Sequence, residues 1–247
     1  MGNIDNVRKL KSRCKLFYYG ENLDRFPPYN NDDLIQSVFD LIVGFKETDA
    51  LKKQVRFPLW LMYYEFYSYN ERNNILKYIQ QRYDENMKST KTKFATMVSS
   101  HDLGGQRAKI FNELSKFGAI ESPGKFKKNV NNIGNTIKDK IDFVSKGLIN
   151  ICPENSKGVG YFTEKIFHAF EGGTIPIYWG IDFPENEIIN KNKVCFYDER
   201  FPNIISDMID NPKSYIQGSL FTEDAGIHIN LFYTSLIENI RIHLKLM

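Results

Sequence analysis

Apolar and polar positions follow two different rhythms along this chain. In the first third the apolar runs are short and aromatic. Leu16 to Tyr19 is one, stopped by Gly20, and it predicts a brief strand running into a turn. A loop rich in Pro and Asn follows from Phe26 to Asn31, and Val38 to Phe45 predicts a second strand with Gly44 near its end. From Phe57 to Tyr83 the pattern turns mostly helical: Leu61, Tyr64, Glu65 and Ser68 recur at helical spacing, and Pro58 suits a helix start. The run Lys88-Ser89-Thr90-Lys91-Thr92-Lys93 has no apolar residue, which predicts a connecting loop and a domain boundary.

Beyond that loop strands and helices alternate. Strands are expected at Phe94 to Ser99, Leu148 to Cys152, Thr174 to Tyr178 and Val194 to Tyr197. Between them fall a Gly104-Gly105 turn, a helix from Arg107 to Phe117 with Ile110, Phe111 and Leu114 on one face, and helices at Ile137 to Lys146 and Thr163 to Phe170. Pro202 to Ile216 reads as a helix interrupted near Pro212, and Ile227 to Leu246 as a long amphipathic helix. Such alternation implies an α/β fold with a parallel sheet and right-handed crossovers.

Composition narrows the classes. The 247 residues, 42% hydrophobic and 26% charged, suit one large or two small globular domains. The 33 basic against 30 acidic side chains lack the basic excess of a nucleic-acid binder. Three dispersed cysteines, Cys14, Cys152 and Cys195, form neither a zinc spacing nor a disulfide framework, so free thiols are expected. The apolar runs are too short for a membrane span or a signal peptide, and Asn6 breaks the myristoylation pattern begun by Gly2. The expectation is a soluble, cytoplasmic protein.

The chemistry concentrates in Ile151 to Gly180. A strand ending at Cys152 runs through a loop containing Gly158 and Gly160 into a helix, with Thr163 placed as its N-cap. In a parallel sheet ligands bind at such turns, where free N–H groups favour anions. Lys165 is the odd residue. A cation in the first turn opposes the helix dipole by roughly 0.3–1 kcal/mol, and a bound phosphate would reverse that sign. A lone lysine there ordinarily just points to water. The flanking glycines, Glu164 and Asn155 favour the anion-site reading.

The ordered series Glu154-Asn155-Ser156, Tyr161-Phe162-Thr163-Glu164-Lys165, Ala169 and Gly173-Thr174-Ile175-Pro176-Ile177-Tyr178-Trp179-Gly180 resembles the signature of the alpha-1,3/1,4-fucosyltransferase family. Phe17-Tyr18-Tyr19-Gly20-Glu21-Asn22, Arg56-Phe57-Pro58-Leu59, Phe94 to Ser100 with Arg107, and Ile120-Glu121-Ser122 with Gly124 resemble further blocks in family order. The resemblance implies a GT-B fold, two Rossmann-like domains facing a cleft, with the N-terminal one shortened because only about fifteen residues precede the Gly-Glu-Asn segment. It divides the chain into an acceptor-side domain (1–88), a donor domain (89–222) and a C-terminal helix packing back across both (223–247).

It also implies inverting transfer of L-fucose from GDP-fucose to a glycan hydroxyl, in α-1,3 linkage to GlcNAc or Glc, with no required cofactor. Glu21 would be the general base. Arg107 and Lys165 would contact the diphosphate, Glu164 the ribose hydroxyls, and Asn155 and Tyr161 would line the nucleotide pocket. The sequence has no Asp-x-Asp for a metal clamp, so the cations are expected from side chains, with a stimulatory divalent ion compatible. Two departures stand out: Pro153 replaces an aromatic residue, and His101 to Gln106 differs. The alternatives are a transferase using another sugar nucleotide and a non-catalytic GDP-sugar or glycan-binding module.

Overall fold

The computed structural model describes residues 4–64, 69–180 and 183–245. A first unit contains three parallel strands, β1 (Leu16–Tyr18), β2 (Leu41–Gly44) and β3 (Gln54–Arg56), in the order β1-β2-β3. Helices α1 (Ile4–Lys9) and α2 (Asp32–Val38) accompany it, and α3 (Tyr69–Lys88) leads out of it. The second unit is a five-stranded parallel sheet of β4 (Lys93–Thr96), β5 (Ile120–Glu121), β6 (Gly147–Ile151), β7 (Ile175–Tyr178) and β8 (Cys195–Phe196). Its helices are α4 (Gln106–Leu114), α5 (Ile137–Val144), α6 (Lys165–Glu171), α7 (Phe201–Asp210) and α8 (Lys213–Ile216), and the chain continues into α9 (Ala225–Leu244).

The second sheet runs β5-β4-β6-β7-β8. The direction of winding therefore reverses between β4 and β6, and the loops leaving those two strands part there to open a crevice. Register is set by apolar alternation: Leu41 and Val43 face one core cluster while Ile42 faces another. The largest cluster joins the two units. Leu41, Val55 and Trp60 pack with Phe162, Phe167 and Phe170 of the α6 segment and with Ile229 of α9. Trp60 stacks on Phe167 at 4.6 Å between ring centroids, and Phe57 meets Tyr233 edge-on.

Three local expectations are corrected. Val38 closes α2 rather than opening a strand, because the Asn31 side chain accepts from Leu34 N and Asp32 and Asp33 fill the first turn. The stretch after Phe57 is not one helix: Pro58 precedes a short 3-10 turn over 59–62, and α3 starts only at Tyr69. Glu65 and Ser68 of the predicted spacing lie outside the described residues, as does Leu246. Strand β3 carried no alternation signal, since Gln54 and Arg56 are polar yet buried on either side of Val55. The loop over 88–93, the interruption at Pro212 and strands β4, β6, β7 and β8 fall where expected, within a few residues, whereas β5 was not expected as a strand.

Candidate active site

The carboxyl ends of the two sheets meet. Past β1, Asn22 Nδ2 donates to Ser156 Oγ (3.0 Å) and to the Lys157 carbonyl (2.7 Å) in the loop leaving β6. At the end of β3, Arg56 donates to the carbonyls of Phe45 and Gly160, and its other nitrogen binds Glu185 at 2.7 Å. Trp60 Nε1 donates to the same carboxylate oxygen at 3.0 Å. Burial pushes the Glu185 carboxyl upward, and Arg56 and Trp60 oppose that. Gly160 makes this junction possible. It sits at φ 70°, and a β-carbon there would stand 2.4 Å from the Phe45 carbonyl oxygen.

Across this junction runs a chain of hydrogen bonds. The Tyr161 hydroxyl donates to Glu21 Oε2 at 2.9 Å, and Asn155 Nδ2 donates to Glu21 Oε1 at 3.2 Å. The other end of the Asn155 amide accepts from Arg107 Nη2 at 2.6 Å. Glu21 keeps 43% of its side chain exposed and has Arg25 at 3.7 Å. Burial first, then Glu154 and Glu21, raise the Tyr161 phenol far above its ordinary value, so Tyr161 acts here as a donor. Burial pulls the buried Arg107 guanidinium down, and Asp102 and Glu154 act against it. Asp102 also anchors the start of α4, accepting from Arg107 N and Ala108 N.

The Thr163–Lys165 turn differs from expectation. Thr163 is not the N-cap; that position is Glu164, and α6 begins at Lys165. The Thr163 amide and hydroxyl are taken instead by Glu154, at 2.9 and 2.8 Å. Glu154 Oε2 also receives Lys165 Nζ at 2.7 Å, its side chain fully buried and that of Lys165 17% exposed. The cation set against the helix dipole is thus compensated by a carboxylate within the protein. Burial lowers the Lys165 pKa, but Glu154 and Glu164 outweigh it and hold it above the ordinary value.

Three spaces adjoin these side chains. A small cavity of about 40 Å³ lies at the reversal point between β4 and β6, lined by Arg107, Lys165 and Lys140. A groove of about 570 Å³ bounded by Tyr63, Gly124, Asn132, Lys140 and Glu164 opens beside it. On the other side of Arg107 lies a pocket of about 300 Å³ bounded by Asn155, Glu154, Asp102 and Trp179. Of the residues singled out from sequence, Glu21, Tyr161, Asn155 and Arg107 are joined directly. Lys165 shares the cavity with Arg107, and Glu164 borders the groove.

Sequence reasoning passed over Lys140 and gave Glu154 no role. Lys140 lies one helical turn before the buried Val144, on the apolar side of α5, and that placement was a legible signal. Its Nζ stands 3.0 Å from His168 Nδ1. Burial lowers the His168 imidazole to about 2, with Lys140 and Lys165 adding to the effect, so this ring stays neutral and can accept from the ammonium. His168 is packed in the core. The cysteines are free thiols. Among the described residues no helix is long and apolar enough to cross a membrane, and no group of His, Cys, Asp or Glu is placed to hold a metal.

Two parallel-stranded units whose strand ends meet form a GT-B-like fold. The model of the glycosyltransferase family 10 (fucosyltransferase) C-terminal domain matches residues 87–193. The chain is similar to the alpha-(1,3)-fucosyltransferase FucT of Helicobacter pylori, 25% identical over 279 residues, covering 97% of this chain and 56% of the relative. The chain therefore spans about half the length of the curated relative it matches. Solved structures of similar fold include an alpha1,3-fucosyltransferase with GDP-fucose (TM-score 0.62, 22% identity, 90% of this chain and 74% of that one). A second is an alpha1,3-fucosyltransferase structure with TM-score 0.64 and 24% identity, covering 90% of this chain and 73% of that one. A third contains GDP (0.61, 21%, 92% and 75%).

Proposed function

We propose that this chain is an inverting glycosyltransferase that moves L-fucose from GDP-fucose to a hydroxyl of a glycan acceptor, with α-1,3 linkage to GlcNAc or Glc. The observation that carries this reading is the bonded series from Glu21 through Asn155 to Arg107. One amide ties a carboxylate from the first unit to a cation from the second, so base and leaving-group stabiliser are held on a common scaffold. The family domain, the curated relative and the solved structures support the donor.

In this reading residues 1–88 carry the acceptor side, 89–222 the donor side, and 223–247 the helix that packs back. The nucleoside lies in the groove with its ribose at Glu164, and the diphosphate reaches the cavity of Arg107 and Lys165. Asn155 and Tyr161 line the donor site and orient Glu21. The acceptor oxygen forms its bond to the anomeric carbon as the bond from that carbon to the β-phosphate oxygen breaks. GDP leaves with the electron pair, and Glu21 takes the hydroxyl proton. Charge gathers on the departing phosphate in the transition state, where preorganised cations are most effective. Side chains supply these cations, and a divalent ion is compatible as a stimulant. Glu21→Gln tests the reading: GDP binding persists and transfer from GDP-fucose to oligosaccharide acceptors is abolished. Transfer at the wild-type rate would remove Glu21 from the role of base.

A further inference from the structure

The 40 Å³ cavity is lined by three cationic side chains, Arg107, Lys140 and Lys165, and by no carboxylate. Glu154 answers one of them, Lys165. The other two contact neutral groups: Arg107 donates to Asn155 Oδ1 and the His101 carbonyl, and Lys140 meets His168 Nδ1. Among the described residues neither is in an ion pair. Two incompletely neutralised cations around one enclosed space repel each other in a medium that screens poorly, and an anion placed between them reverses that energy. His168 fixes the lysine without neutralising it, because its ring remains uncharged.

The neighbouring spaces give the site a direction. Lys140 lines both the cavity and the groove that Glu164 borders. Arg107 lines both the cavity and the pocket that Asn155 borders, and Asn155 holds Glu21. If the proposed donor reading holds, on which this inference rests, the sugar end must lie toward Glu21 and the nucleoside end in the groove. We propose that Lys140 is a third phosphate-binding cation of the donor site, gripping the α-phosphate while Arg107 grips the β-phosphate.

The test is calorimetric titration of GDP and GMP into the full chain and its variants. Lys140→Met weakens GMP and GDP alike, roughly tenfold to hundredfold, the scale of a lost charge-assisted hydrogen bond. Lys140→Arg restores most of that loss. Arg107→Met weakens GDP and leaves GMP nearly unchanged. The ligand-free melting temperature of Lys140→Met stays level or rises, since removing one of the mutually repelling cations relieves the empty cavity. A merely structural lysine would instead lower melting temperature and affinity together, and that result overturns the assignment. So does Lys140→Met binding both nucleotides as the wild type does, or losing GDP while sparing GMP. A wild-type chain that binds neither nucleotide overturns the donor reading and this assignment with it.

Discussion

Replacing Glu154 with Ala is expected to be among the most damaging single changes in the molecule. Its carboxylate is fully buried and accepts from Lys165 Nζ, the Thr163 amide and the Thr163 hydroxyl, all within 3.1 Å. Truncation leaves a mostly buried ammonium without its anion and a buried amide without its acceptor. Breaking a buried pair by removing one partner costs about 3–5 kcal/mol. An orphaned buried donor costs about 1–3 kcal/mol by itself. The two losses overlap, so about 4 kcal/mol is the working figure. For a chain of this size each kcal/mol shifts the melting point by about 2–4 °C, which gives a drop of about 8–16 °C.

The assay is urea and thermal unfolding followed by far-UV circular dichroism. Asp142→Ala serves as the control: it breaks the exposed Lys138 pair, whose side chains are 81% and 50% exposed, and changes stability by less than about 1 kcal/mol. The pH sign is also fixed. Lys165 is raised in the folded state, so the stabilisation from its charge is complete below the ordinary lysine value of 10.5. It is lost only as pH rises through the higher folded value, and the defect should be constant between neutral pH and mild alkali. Adding Lys165→Met to a Glu154→Gln chain removes the orphaned charge and recovers much of the loss. A Glu154→Ala chain within about 1 kcal/mol of wild type would refute the reasoning, because that is the range of ordinary surface changes.

Gly160→Ala forces a β-carbon to within 2.4 Å of the Phe45 carbonyl and 2.7 Å of Arg56 Nη1, at a positive φ. A loss of about 1–3 kcal/mol is expected, read as a shifted urea midpoint, and an unchanged midpoint would mean that the junction of the two units is not rigid. The folded His168 pKa of about 2 lies below the ordinary 6.5, so its contribution to stability is present above pH 6.5 and lost as pH falls toward 2. At about 1.4 kcal/mol per pH unit, wild type should lose about 2 kcal/mol more than His168→Gln on going from pH 7 to 5. Coincident pH profiles for the two chains would show that the ring is not held neutral.

The fold was more legible than the contacts. Strands β4, β6 and β7 stand out because each is an apolar run next to an amphipathic helix, and buried parallel strands carry that pattern. Strand β3 was illegible because its two polar residues are buried, Arg56 by partners as far away in the chain as Gly160 and Glu185. Helix α2 was missed although Asn31-Asp32-Asp33 is a helix-start signal, since its last residue, Val38, reads as the start of the following strand. The long helix expected from Phe57 ignored the 3-10 turn that docks Trp60 against Phe167, a tertiary contact with no periodic signature.

Lys165 marks the boundary between what a sequence can and cannot carry. A lysine opposing a helix dipole is stabilised by a nearby anion, and that preference is local and readable. Which anion meets it depends on where the chain folds back, and Glu154, eleven residues earlier, meets it first. The cation is therefore held in place before any ligand arrives. Arg107 shows the same economy through a neutral partner: the Asn155 amide cannot rotate to release it without also losing its bond to Glu21. In the proposed reaction this matters more than the charge of either group. Preorganised groups need no rearrangement as charge develops, and an error of even 1 Å in their spacing can cost about a hundredfold in rate. In that reading one planar amide ties the proposed base of one unit to a cation of the other, with Tyr161 as a second donor holding the carboxylate.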